Sequence, residues 1–71
     1  FSEDVARGDG EALTAVAVSM GISEQDRPVF KQTLHSNFDT LFPSADVDAA
    51  TVMDSIVSLM KGDARLSKYV S

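Results

Sequence analysis

Residues 30–48, FKQTLHSNFDTLFPSADVD, constrain this chain more than any other stretch. Phe30, Leu34, Phe38 and Leu41 stand four, four and three residues apart, which puts them on one face of a helix. Pro43 has no N–H to donate, and it pushes Phe42 before it out of helical geometry, so the helix must stop there. Asp48 then has the chemistry of an N-cap, because its short side-chain oxygen can accept an unpaired amide of a new first turn. Val47 and Val52 are placed to close a hydrophobic staple over that start. The stretch therefore predicts a helix, a stop and a restart, and it contains nothing that looks like a reaction centre.

The same rules read the flanks. Over residues 1–20, Val5, Ala12, Leu13, Val16, Ala17 and Met20 share one broad helical face. Gly8 and Gly10 interrupt it, each costing ~1 kcal/mol relative to alanine. Either they mark a break, or a neighbouring element packs closely there. Glu3 and Asp4 sit near the N-terminal end, where the helix dipole favours acids. Gly21 fits the glycine that follows a helix end, with Ile22 making the accompanying apolar contact. Residues 23–26, SEQD, are expected to form one short turn. Asp26 then caps a helix that starts at Arg27, carries Pro28 in its first turn and runs to the Pro43 stop. A third helix is expected over Ala49–Lys61, where Val52, Met53, Ile56, Val57 and Met60 make a wide apolar face. Gly62 ends it, and Lys61 suits the negative end of its dipole. Asp63 is placed to cap a last short helix over 64–69, anchored by Leu66, Tyr69 and Val70. No period-2 strand pattern, internal repeat or low-complexity tract is visible.

The expected fold class is all-α: a small orthogonal or bundle array of three main helices plus a short C-terminal one, as a single domain over 1–71. Its expected core is Val16, Met20, Phe30, Leu34, Phe38, Leu41, Phe42, Val52, Met53, Ile56, Met60 and Leu66. A chain of 71 residues buries only ~60% of its unfolded surface, so the core is thin and worth ~3–5 kcal/mol. With no cysteine and one histidine, disulfides, cysteine zinc sites and a His-only metal site are excluded. Stability must come from helix packing or from a partner chain. The net charge of −5 repels phosphate backbones, so no nucleic-acid partner is expected. No apolar run is long enough for a transmembrane segment. No signal peptide is visible, yet Phe1 is not a start methionine. The chain is therefore expected to be a processed or excised piece, whose missing targeting segment says nothing about location.

Several segments together resemble a known family: ARGDGE at 6–11, LTAVA at 13–17, GI at 21–22, DRPVF at 26–30, NFDTLFPSADV at 37–47 and DARLSKYV at 63–70. They are similar to the C-terminal helical region of a family of small exported bacterial proteins classed as a domain of unknown function. The resemblance spans nearly the whole chain. Its most specific part is NFDTLFPSADV, followed by the Arg-Gly-x-Gly-Glu piece. Members typically carry a signal peptide and an N-terminal portion containing glycine and cysteine, neither of which is present in this chain. The resemblance implies a C-terminal fragment of a periplasmic or secreted protein, with a first helix that can begin upstream of Phe1. It implies no activity and no catalytic residues.

Several residues invite a chemical reading. His35 is the one general base suited to neutral pH, and Asp39 four residues on is placed to orient it. Catalysis also needs a converging nucleophile or polarising group, and hydroxyls beside a histidine on one helix do not make a triad. A surface His–Asp pair is the plainer account. Asp46 and Asp48 suggest a calcium loop, but such a loop needs about five oxygen positions, a central glycine and a terminal glutamate. Capping explains these aspartates better. Asp54-Ser55-Ile56 resembles the phosphopantetheine site of acyl carrier proteins, and the size and acidity fit. In carriers that serine opens a helix near mid-chain; here Ser55 lies within the third helix, with 16 residues after it. Arg7-Gly8-Asp9 spells an adhesion tripeptide, which needs an exposed loop tip. A helix-turn-helix around Pro43 would present an apolar, acidic second helix to DNA, against the chemistry of base reading. Met20, Met53 and Met60 suit either an adaptable groove or a core. Their place on stripes with valine, isoleucine and leucine favours the core.

No catalytic, cofactor or metal residue is assigned on these grounds. The expected function is a non-enzymatic structural or protein-interaction module of an exported protein, docking or self-associating through an uncovered apolar helix face. The alternatives are an acyl-carrier-like domain modified at Ser55 and a small enzyme using His35.

Overall fold

The two glycines of the first segment do what both readings of them required. In the computed structural model, which describes residues 1–70, the segment is two helices, α1 (Ser2–Arg7) and α2 (Glu11–Ser19). Ser71, the last residue of the expected domain, lies outside the described residues. At Gly8 the chain turns: the Gly8 amide donates to the Val5 carbonyl and the Asp9 amide to the Asp4 carbonyl, both at 3.1 Å. This is the paired pattern that closes a helix C-terminus. Gly21 closes α2 in the same way, donating to Val18 at 3.0 Å while Ile22 donates to Ala17 at 3.0 Å. Ile22 and Ala17 are both buried, as the expected apolar contact requires.

Gly10 is needed for a different reason. Its φ of +147° is open to glycine and strained for other residues, and a Cβ there would stand 2.1 Å from the Asp4 carboxyl carbon. That carboxylate fills the space because it caps α2 from eight residues upstream. Asp4 Oδ2 accepts the Ala12 amide at 2.9 Å and the Leu13 amide at 3.2 Å. Asp4 thus serves the N-terminus of the next helix as well as its own.

The expected long second helix is also two pieces, α3 (Arg27–Ser36) and α4 (Phe38–Leu41). The break is at Asn37, whose side-chain Nδ2 donates to the Thr33 carbonyl at 2.8 Å. In a continuous helix that carbonyl would take the Asn37 backbone amide, which instead bonds Leu34 at 3.2 Å. A short amide side chain has out-competed the backbone. Leu41 remains buried, but Phe38 becomes half-buried and pairs with Phe42 at a ring separation of 5.1 Å.

α5 (Ala49–Lys61) is as expected: Asp48 Oδ1 accepts the Thr51 amide at 2.7 Å, and Val47 packs on the core. Asp63 caps the last segment, accepting from Arg65 at 2.8 Å and Leu66 at 3.2 Å. That segment is turns followed by a short 3₁₀ stretch, Ser67–Tyr69, rather than an α-helix. Among the described residues there is no strand, so the fold is all-α.

Phe30 and Leu34 on α3 form the centre, and α3 touches α1, α2, α4 and α5. The core differs from the expected one at its α2 edge. Leu13 and Ala17 are the buried residues of α2, joined by Val5 and Ile22, while Val16 and Met20 are only partly covered. Phe38 and Phe42 are also partly covered, and Met53 is 42% exposed. Phe30, Leu34, Leu41, Val52, Ile56, Met60 and Leu66 are buried as expected.

Two glycine variants check this account. Gly10→Ala is expected to lower unfolding free energy by more than about 1 kcal/mol, because φ is positive and Asp4 is displaced. Gly62 has φ −82° and only ordinary contacts around a new Cβ, the nearest being the Leu59 carbonyl at 3.6 Å. Gly62→Ala is expected to gain about 0.4–1 kcal/mol by restricting the unfolded chain. Urea denaturation of both variants measures the contrast.

Candidate functional site

Most of the polar residues with chemical promise are already engaged by the fold. His35 sits on the last turn of α3 and is exposed. Its Nδ1 lies 3.0 Å from the Val5 carbonyl. A carbonyl only accepts, so Nδ1 carries the proton in this bond. The ring also packs where a Gly8 Cβ would be, with Cγ 3.3 Å from that position. The break at Asn37 separates His35 from Asp39, so the expected His–Asp pair gives way to a tie between α3 and α1. Asp9 and Arg7, the charged ends of the adhesion-like tripeptide, bond Lys31 Nζ at 2.7 Å and Asp4 at 2.8 Å. Both are fastened to the body of the protein. Ser55 is half-buried in the middle of α5. Asp48 is occupied as a cap, and Asp46 is exposed in the loop before it. Among the described residues no group of three or more His, Cys, Asp or Glu is placed to hold a metal ion.

One polar cluster escaped the sequence. Asp26 stands at the N-cap position of α3, but its side chain makes no cap bond. It turns inward instead, to 8% exposure, where its carboxylate accepts from the Tyr69 hydroxyl at 2.5 Å and from Ser23 Oγ at 3.3 Å. Lys68 Nζ is 3.1 Å away. The Tyr69 hydroxyl and the Lys68 ammonium hold the Asp26 carboxyl below the usual carboxylate range, against the desolvation that burial imposes. Asp26 in turn raises Lys68. With each of its contacts satisfied, the cluster straps the C-terminal turn onto the loop before α3. Tyr69 anchors this segment as expected, its ring packed against the core, and its hydroxyl adds the tie to Asp26.

The remaining feature is apolar. A groove of about 410 Å³ lies between α5, α2 and the loop after α4. Ala49, Val52, Met53 and Ile56 line it from α5. Val16 closes it from α2, and Phe42 and Val47 from the loop. Phe1 covers one edge, its ring 6.2 Å from that of Phe42. Phe1 and Met53 are 40% and 42% exposed, so the groove is open to solvent. All the lining residues are apolar. Such a surface can desolvate a partner's apolar side chains, and it offers no acid, base or nucleophile. The apolar face of α5 and an uncovered apolar helix face were both expected from the sequence; which residues line the opening was not.

A family model described as Protein of unknown function (DUF3015) matches residues 1–70. No curated protein and no solved structure matches.

The Asp26 cluster makes a pH prediction. Asp4, Asp9, Asp26 and Asp48 are all held below the ordinary carboxylate range. At Asp4 burial opposes the shift, and the hydrogen bonds from Leu13, Arg7 and Ala12 outweigh it. A carboxylate with a depressed folded pKa contributes stability that is complete above its unfolded value near about 4 and is lost as pH falls through the folded value. The melting temperature should therefore fall on acidification below about pH 4. Asp26→Asn should melt lower than the wild-type chain at neutral pH and converge on it at acid pH. Circular dichroism melts across pH read this directly; a constant offset would contradict the assignment.

Proposed function

We propose that this chain, which belongs to the family of proteins of unknown function DUF3015, is a non-enzymatic protein-interaction module that works through its apolar groove. The observation that carries the reading is the division of the surface. The His35 and Asp26 side chains are tied into the fold, while an open groove is lined entirely by apolar side chains. A solvated Met53 and Phe1 beside a part-covered Val16 form a surface that gains by being covered. Met side chains adapt to different partner shapes, which suits a docking surface. The resemblance to small exported bacterial proteins supports placing the module in a periplasmic or secreted parent protein. Fractionation of the native host, with the complete coding sequence in hand, tests that placement; a cytoplasmic protein would remove it.

Selection of peptides from a random displayed library, with each binder's footprint mapped by amide chemical shifts, tests the docking function. Binders are expected to shift Val16, Val47, Val52, Met53 and Ile56. Footprints centred on His35 or Ser55 would redirect the search to chemistry. Intact mass of protein from the native host adds a second check, since a prosthetic group on Ser55 would establish the carrier alternative. Met53→Asp should weaken the selected peptides about tenfold or more, while leaving stability within about 0.5 kcal/mol because the residue is exposed.

A further inference from the structure

Asp26 occupies the position of a helix cap and caps nothing. It precedes Arg27, the first residue of α3, and no side chain caps that helix. Pro28 has no N–H, so the Val29 amide is the first-turn donor that a capping Asp26 would take. Asp48 shows in the same chain what capping requires. Its φ and ψ are −89° and 167°, and its carboxylate accepts the amide of Thr51, three residues on. Asp26 has nearly the same φ, −98°, but a ψ of −9°, in the helical range. That setting turns its carboxylate to the C-terminal segment, where Oδ2 alone meets the Tyr69 hydroxyl, Ser23 Oγ and Lys68 Nζ. One backbone setting holds the strap and the other caps α3, so Asp26 does one or the other. None of these residues lines the apolar groove.

The strap is also the least secured part of the fold. The amides of Leu66, Ser67, Tyr69 and Val70 all donate to carbonyls of Asp63, Leu66 or Ser67, within the segment itself. Leu66 is its one fully buried side chain among the described residues. A segment with local backbone bonds and one buried anchor can open while the rest stays folded. We propose that residues 63–70 open as a unit over an intact α1–α5 body, and that Asp26 then turns from Tyr69 to cap α3. The cap recovers part of what the lost Tyr69 bond gave, which brings the open state closer in free energy to the closed one. The Phe30 amide bonds the Asp26 carbonyl at 3.0 Å, and a capped α3 keeps that bond. The turn in ψ gives up the bond from the Arg27 amide to the Ser23 carbonyl. Asp26 is thus a two-position switch between the C-terminal segment and the helix against which α1, α2, α4 and α5 pack. A pull on the C-terminal segment is registered at the start of α3.

Native-state amide exchange, read residue by residue by NMR, tests this. In the wild-type chain the strap amides of Leu66, Ser67, Tyr69 and Val70 are expected to be protected at least about tenfold less than the core amide of Leu34. One common protection factor would overturn the separate opening. Tyr69→Phe keeps the ring and removes the hydroxyl. It should speed exchange of the strap amides about tenfold, as loss of a hydrogen bond to a charged group gives, and leave Leu34 unchanged. The Val29 amide should slow about fivefold as Asp26 caps it, while the Arg27 amide speeds up. Asp26→Ala should speed the strap in the same way without slowing Val29. A Val29 amide unchanged in Tyr69→Phe would overturn the switch, and so would one that slows in Asp26→Ala as well. Loss of Leu34 protection together with the strap in Tyr69→Phe would show that the segment does not open alone, and would overturn the proposal.

Discussion

Phe30 and Leu34 must be covered from several sides at once, and α3 carries both. Each of the other α-helices touches α3, so its burial sets where they lie. Among the described residues eleven buried apolar side chains form the core, which for a chain without cysteine is little to fix helix orientations. Hydrophobic contact has no direction, and polar ties supply it. Asp4 caps α2 across the Gly8–Gly10 turn. His35 reaches the Val5 carbonyl, Lys31 holds Asp9, and Asp26 holds Tyr69. Three of the four join α3, or the residue just before it, to a distant segment.

The groove follows from the same arrangement. Val52, Ile56 and Met60 of α5 are buried. The Asn37 break shortens the helix that would otherwise have continued the α3 stripe. Phe38 leaves that stripe to pair with Phe42, and Phe42 becomes a groove wall. From α2 only Val16 reaches the groove, because Leu13 and Ala17 carry its buried face. Met53 is left at the margin. An apolar α5 face wider than its cover is thus a product of the packing.

Much of this was legible in the sequence because it obeys local rules. Asp48, Gly21, Asp63 and the Pro43 stop act through neighbours a few residues away, and each is where periodicity and capping chemistry put it. What was not legible depends on distance. Asn37 breaks a helix by taking one carbonyl, a competition that spacing does not reveal. Asp26 looked like a cap because its position is right for one, yet its partner is 43 residues away. Asp4 and Gly10 were each visible, but not that one occupies the space the other vacates. Met53 lay on an apolar stripe, and a stripe does not say how much of its width a neighbour covers. The family match adds membership without a mechanism.

The central claim is that this groove is open in the free protein and is covered by an apolar partner surface. Methyl relaxation in the presence of a soluble paramagnetic agent measures both halves in one sample. Strong enhancement is expected at the Met53 and Val47 methyls in the free protein, with selective loss when a selected groove-binding peptide is added. Enhancement unchanged at Met53 and Val47 with peptide bound, or protection gathered around His35 or Ser55, would contradict it.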